Sequence, residues 1–146
     1  MPPNLVGAWK LITVEDRHEN GAVEYPYGEE GLGFLIYHPD GYMSAIVMAA
    51  AANRPPLGGS TRPRGLSPED AQAVLETMGS AYAGTYEFKD DSTIIHHVKS
   101  ALIPNAIGND EMRPFEVKED GRLYVYTLRP PITTCAIWEK LAPISR

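Results

Sequence analysis

Three turn signals of one kind recur between β-branched and aromatic runs: Asn20-Gly21, Asp40-Gly41 and Asp120-Gly121. An Asx-Gly pair readily takes the positive-φ backbone that a tight hairpin needs. Each pair therefore makes its flanking runs antiparallel neighbours. Thirteen glycines and thirteen prolines add further breaks and lean the chain toward β architecture. Elements joined mostly by sequential hairpins suit a closed up-and-down antiparallel barrel, because closure removes exposed strand edges.

The runs between the turns give the elements. Leu5 to Asp16 reads as a long first strand and Val23 to Tyr27 as a short one. Gly33 to His38 and Tyr42 to Met48 form a hairpin about Pro39-Asp40-Gly41. The Ala49–Gly65 stretch, rich in Pro, Gly and Arg, cannot pack a core and reads as a mobile loop. Ser67-Pro68-Glu69-Asp70 starts a helix, with Ser as N-cap, Pro at the first position and acids in the first turn. Ala71, Val74, Leu75 and Met78 extend it toward Ala81 at helical spacing, and loop plus helix resemble a lid. Tyr82 to Phe88, Thr93 to Leu102, Glu111 to Lys118, Arg122 to Leu128 and Thr133 to Leu141 complete the strands. The expectation is an all-β barrel of eight to ten strands with one short α-helix, a single domain over residues 1–146.

The 146 residues carry a net charge of −6, which argues against nucleic acid or an anionic membrane as partner. One cysteine, Cys135, forms no internal disulfide, so the fold needs no oxidising compartment. The N-terminus lacks a signal-peptide pattern and no apolar run reaches the length of a membrane span, so a cytoplasmic protein is expected. No Cys/His spacing fits a zinc site, and no cofactor or metal is expected.

Alternation along strands selects the candidate residues. If Lys99 faces water, so does His97, and Ile94, His96, Val98 and Ser100 share the interior. If Glu116 and Lys118 face water, then Glu111, Arg113, Phe115 and Val117 face in. His96 then reads either as a satisfied core histidine or as a pocket acid/base, for which an ordinary imidazole suits neutral pH. Arg113 reads either as half of an internal ion pair or as a clamp on a ligand carboxylate, enolate or carbonyl. Eight tyrosines against three phenylalanines suit an oxygenated apolar ligand, though strand propensity alone also explains them. Tyr82 and Tyr86 share a face and are the best pocket candidates. Ser44 and Met48 share a face of the strand leading into the loop, and Phe115 sits on the face of Arg113.

Several segments together are similar to one family. Gly7 and Trp9 match the Gly-X-Trp signature of lipocalins and the wider calycin group. Tyr25-Pro26-Tyr27-Gly28, Asp40 to Ala45, Tyr82 to Glu87, His96 to Gly108 and Trp138-Glu139-Lys140 follow in order. The chain resembles, over nearly its whole length, the small lipocalin-like domain family of bacteria and fungi. Two positions depart from that pattern: Ala106 replaces a usual aromatic, which would enlarge the cavity, and Lys140 replaces a usual arginine. The resemblance implies a barrel with an inner pocket, Trp9 plugging its closed end, and Lys140 as the cation across Trp9.

It also implies natural-product chemistry, in which such barrels act as cofactor-free cyclases or isomerases. The leading expectation is an enzyme that isomerises or cyclises a small apolar, oxygenated metabolite, polyketide- or terpenoid-like. His96 would be its acid/base, Arg113 would stabilise negative charge, and the loop and helix would gate access. The alternatives are a non-catalytic carrier of the same fold and a barrel filled by its own side chains. The sequence leaves a homodimer open.

Overall fold

The structure, a computed structural model, describes residues 3–145. Nine strands form one antiparallel sheet: β1 (Gly7–His18), β2 (Val23–Glu24), β3 (Gly31–Tyr37), β4 (Tyr42–Ala49), β5 (Met78–Asp90), β6 (Thr93–Ala101), β7 (Asp110–Val117), β8 (Leu123–Arg129) and β9 (Ile132–Lys140). From β3 onward each strand pairs with the next in sequence, and β1 pairs with both β3 and β9. Eight strands therefore close an up-and-down barrel, while β2 is a short flap hydrogen-bonded to the end of β1. The glycines of all three Asx-Gly turns have positive φ: Gly21 at 89°, Gly41 at 97° and Gly121 at 85°.

The two ends differ. Tight turns join β3 to β4, β5 to β6 and β7 to β8 at the end where β1 begins. That end is shut. Trp9 is buried, its indole Nε1–H donates to the Leu5 carbonyl at 3.0 Å, and Lys140 lies 4.8 Å from its ring centroid. Lys140 also donates to the Val6 carbonyl. Leu5, Leu11, Leu35, Tyr37, Met43, Ile94, Phe115, Leu123 and Trp138 are buried in the barrel's main core. The long connections lie at the other end: residues 25–30, 50–77 and 102–109.

The single α-helix, α1 (Pro68–Glu76), is shorter than the apolar spacing predicts. Ser67 caps it by accepting from the Asp70 N–H at 3.1 Å. It stops at Thr77 because the strand claims the next residues: Met78 pairs with Met48, and β5 runs four residues ahead of the expected start at Tyr82. None of the helix's side chains is buried, and Leu75 is 56% exposed. Apolar residues at helical spacing thus mark a helix that the barrel does not cover.

In β1 one residue changes which side chains face inward. Its pairing with β9 shifts between Leu11 and Thr13, a β-bulge at Ile12. Trp9 and Leu11 point inward before it, and Val14 and Asp16 after it. Without the bulge Thr13 and Glu15 would take those places.

No helix among the described residues is long and apolar enough to cross a membrane.

Candidate functional site

A cavity of about 240 Å3 opens at the end of the barrel that carries the long connections. An apolar cavity of about 150 Å3 holds a benzene ring, so this space suits a ligand of one or two rings. Leu35, Ala45, Val47, Val125 and Ala136 give it apolar walls. Its polar lining comes from seven strands or their flanks: Asp16, Tyr27, Ser80, Tyr82, His96, Arg113, Thr127, Arg129, Thr134 and Trp138.

His96 is the deepest polar group, at 2% exposure. Strand alternation places it inside β6 as expected, with His97 outside. Both ring nitrogens are occupied. Nε2 lies 2.7 Å from the Tyr37 hydroxyl, and Nδ1 lies 2.6 Å from the Tyr82 hydroxyl. Burial lowers its pKa to about 3, helped by the nearby charges of Arg113 and His97. At neutral pH the ring is uncharged. Tyr37 is 1% exposed, and among the described residues its hydroxyl has His96 as its one hydrogen-bond partner. Burial raises the pKa of both tyrosines, strongly for Tyr37, while the guanidinium of Arg113 pulls each partly back.

Arg113 reaches the cavity from β7, and its side chain is only 15% exposed. Its contacts within the protein are few for a half-buried cation: a Glu111 carboxylate oxygen at 3.3 Å, the Met112 carbonyl at 3.4 Å, and the Tyr82 oxygen, to which the guanidinium donates. A guanidinium has five N–H donors, so several remain for a ligand. Trp138 has a spare donor too. It lines the cavity, is 3% exposed, and its indole N–H has no partner among the described residues.

Nearer the mouth, Asp16 accepts from the Thr134 hydroxyl at 2.7 Å through one carboxylate oxygen. Tyr27, on the turn after β2, feels the opposed charges of Asp16 and Arg129, and its ring lies close against Gly79. Arg129 forms no ion pair among the described residues.

Of the residues expected from sequence, Tyr82, His96 and Arg113 come together at the cavity. Tyr86 and Phe115 face inward but sit below it. Tyr86 packs edge-on against Tyr37 with centroids 4.8 Å apart and donates to the His38 carbonyl at 2.8 Å. Phe115 packs on Phe88 in the core. Ser44 and Met48 lie on the outer face of β4, where Arg54 contacts the Met48 sulfur; Ala45 and Val47 take the inner face instead. Ser100 and Val117, expected inside, are also exposed: the extra β6 residue Lys99 turns Ser100 outward opposite Ala83, and Val117 is the last residue of β7. Ala106 lies in a single turn of 3-10 helix, Pro104–Ala106, away from the cavity wall, so its small size does not enlarge the space.

Sequence reasoning missed Tyr37, Asp16, Trp138 and Arg129. Asp16 was hidden by the bulge. Tyr37 was detectable by alternation, since it shares the inner face with Leu35. The 50–67 loop and α1 contribute no wall to the cavity, though Asn53 lies against Gly28 beside Tyr27. His97, outside, bridges Asp110 at 2.6 Å and Glu87 at 2.8 Å. No group of three or more His, Cys, Asp or Glu side chains among the described residues is arranged to hold a metal ion.

A closed eight-stranded antiparallel barrel with a polar-lined cavity at its open end is an architecture that fits one small molecule. Residues 6–142 match the lipocalin-like domain, and the chain belongs to that family. No curated protein matches the chain.

Proposed function

We propose that the protein binds a small, oxygenated, largely apolar metabolite in the barrel and promotes its cofactor-independent isomerisation or cyclisation. The observation that carries this reading is the convergence of Tyr82 and Arg113 on one cavity, with the buried Tyr37–His96 pair behind Tyr82. Donors fixed in a dry cavity stabilise negative charge that develops on a ligand oxygen, often the largest single contribution to catalysis. His96 does not itself reach the ligand, because both its nitrogens are spent on tyrosines. Its role is to hold Tyr82. The proton acceptor in this reading is Asp16, whose second carboxylate oxygen is not engaged by Thr134.

For a β,γ-unsaturated ketone the steps balance simply. Asp16 removes a proton α to the carbonyl, Tyr82 and Arg113 stabilise the dienolate oxygen, and Asp16 returns the proton at the γ carbon. The product is the conjugated enone. In a cyclisation the same enolate carbon attacks the β carbon of a conjugated acceptor within the ligand, whose π bond opens to a new enolate that takes the proton back from Asp16.

The test is a panel of one- and two-ring β,γ-enones, with conversion followed by the ultraviolet band of the conjugated product. Tyr82→Phe is expected to lower kcat about 100-fold, the usual effect of losing one oxyanion donor, with much smaller loss of affinity. Asp16→Asn is expected to abolish conversion and keep binding. A wild-type protein that binds members of the panel and never converts them would leave a carrier of the same fold. The open mouth favours that second reading, because it lets the ligand leave easily.

A further inference from the structure

The inner end of the cavity offers hydrogen-bond donors and no acceptor, and the direction of the bonds follows from burial. The Tyr37 hydroxyl is sealed from water, and among the described residues its one partner is His96 Nε2. A buried O–H left without an acceptor costs about 1–3 kcal/mol. Tyr37 therefore donates, and Nε2 is the lone-pair nitrogen. A neutral imidazole carries its proton on the other nitrogen, so His96 Nδ1–H donates to the Tyr82 oxygen at 2.6 Å. That leaves the Tyr82 hydrogen pointing away from the ring. No acceptor for it exists among the described residues, and Tyr82 lines the cavity. Trp138 lines the same cavity with an unpartnered indole N–H, and indole can only donate. Arg113 adds guanidinium donors, and guanidinium has no acceptor either.

We infer that the one-way chain Tyr37→His96→Tyr82, with Trp138 and Arg113, selects a ligand presenting an accepting oxygen, a carbonyl or carboxylate, and rejects an ammonium group, which can only donate. Tyr37 is the positioning residue that sets the direction. Its effect passes through the His96 tautomer and needs no contact with the ligand. The inference deepens the proposed function by naming the functional group that the site takes, and it holds equally for an enzyme and for a carrier.

Protein with 15N-labelled histidine tests the direction without any ligand. At neutral pH, long-range proton–nitrogen correlation is expected to show His96 with a protonated Nδ1 and a pyridine-like Nε2. Tyr37→Phe is expected to remove that preference while the backbone spectrum stays folded. The opposite tautomer in the wild type overturns the inference, because Tyr82 would then donate into the ring and show the cavity only lone pairs. A second measurement reads selectivity, using 1-tetralone and 1-naphthoate against 1-aminotetralin, with the Trp138 indole resonance as reporter. The oxygen acceptors are expected to bind at least about tenfold tighter, the equivalent of one unmet buried hydrogen bond. Discrimination should fall in Tyr82→Phe. A preference for the amine, or no preference, overturns the inference. The neutral ketone and the anion separate the parts played by Tyr82 and Arg113. A protein that prefers the ketone but never turns over an enone loses only the reaction proposed above.

Discussion

His96 and His97 titrate in opposite directions because a strand turns neighbouring side chains to opposite faces. Burial drops the His96 pKa from 6.5 to about 3. Hydrogen bonds that its ring donates to the Asp110 and Glu87 carboxylates raise His97 above its ordinary value. Between about 3 and 6.5 the unfolded chain binds a proton at position 96 that the folded chain refuses. Stability therefore falls as pH drops through that window, by about 1.4 kcal/mol per pH unit from this group. His97 does the reverse. Its contribution is fully present below 6.5 and is lost as pH rises through its raised folded value. Denaturant unfolding from pH 5 to pH 8 is expected to give maximal stability near 6.5. His96→Gln should flatten the acid side and His97→Gln the alkaline side. An acid-side slope that survives His96→Gln would mean that carboxylates set it.

At the scale of elements, some strands were legible and others were not. In β6 and β7 the charges of Lys99, Glu116 and Lys118 mark the outer face, so alternation put His96, Glu111, Arg113 and Phe115 inside. In β4 both faces are apolar, with Tyr42 and Ile46 exposed outside against Ala45 and Val47 inside. Hydrophobicity could not choose there, and Ser44 and Met48 landed on the wrong face. The β5 strand hid its start inside a helix-like spacing, because Met78 satisfies both periods. Where Ala83 and Gly84 pair with Ser100 and Val98, the neighbouring β6 carries an extra residue, Lys99. A Cβ on Gly84 would overlap the backbone carbonyl of His97 on the neighbouring strand. Gly84→Ala is expected to cost at least roughly 1–3 kcal/mol, as overpacking does. It should lower Tm by several degrees, since 1 kcal/mol corresponds to about 2–4 °C in a chain near this size. An unchanged Tm would show that β5 and β6 can part there freely.

For the molecule as a whole, the fold was readable because turn chemistry fixes neighbours one pair at a time. Closure between β1 and β9 was not readable in that way. It joins strands more than a hundred residues apart, from Trp9↔Lys140 to His18↔Ile132, and was expected only from the general need to remove exposed strand edges and from the similarity to a family of barrels. Closure also couples the cavity to global stability, because all eight strands of the barrel supply its wall. A ligand that binds only the folded barrel should stabilise it by about 2.7 kcal/mol when present at 100 times its Kd. A thermal scan with 1-tetralone or 1-naphthoate at that excess reads this directly. Tight binding without a rise in Tm would place the ligand outside the barrel.

The bulge at Ile12 has a consequence for comparing barrels of this kind. A gap of one residue in a loop is ordinary length variation, but in β1 the extra residue sets which side chains face in: losing Ile12 itself would leave Leu11, Val14 and Asp16 alternating inward. If the strand kept every residue and paired without the bulge, everything downstream would exchange faces: Glu15 and Arg17 would enter the ligand space, and Asp16 would leave it. Two chains with near-identical letters through this strand can thus own different reagents, depending on a single residue that touches neither ligand nor catalyst.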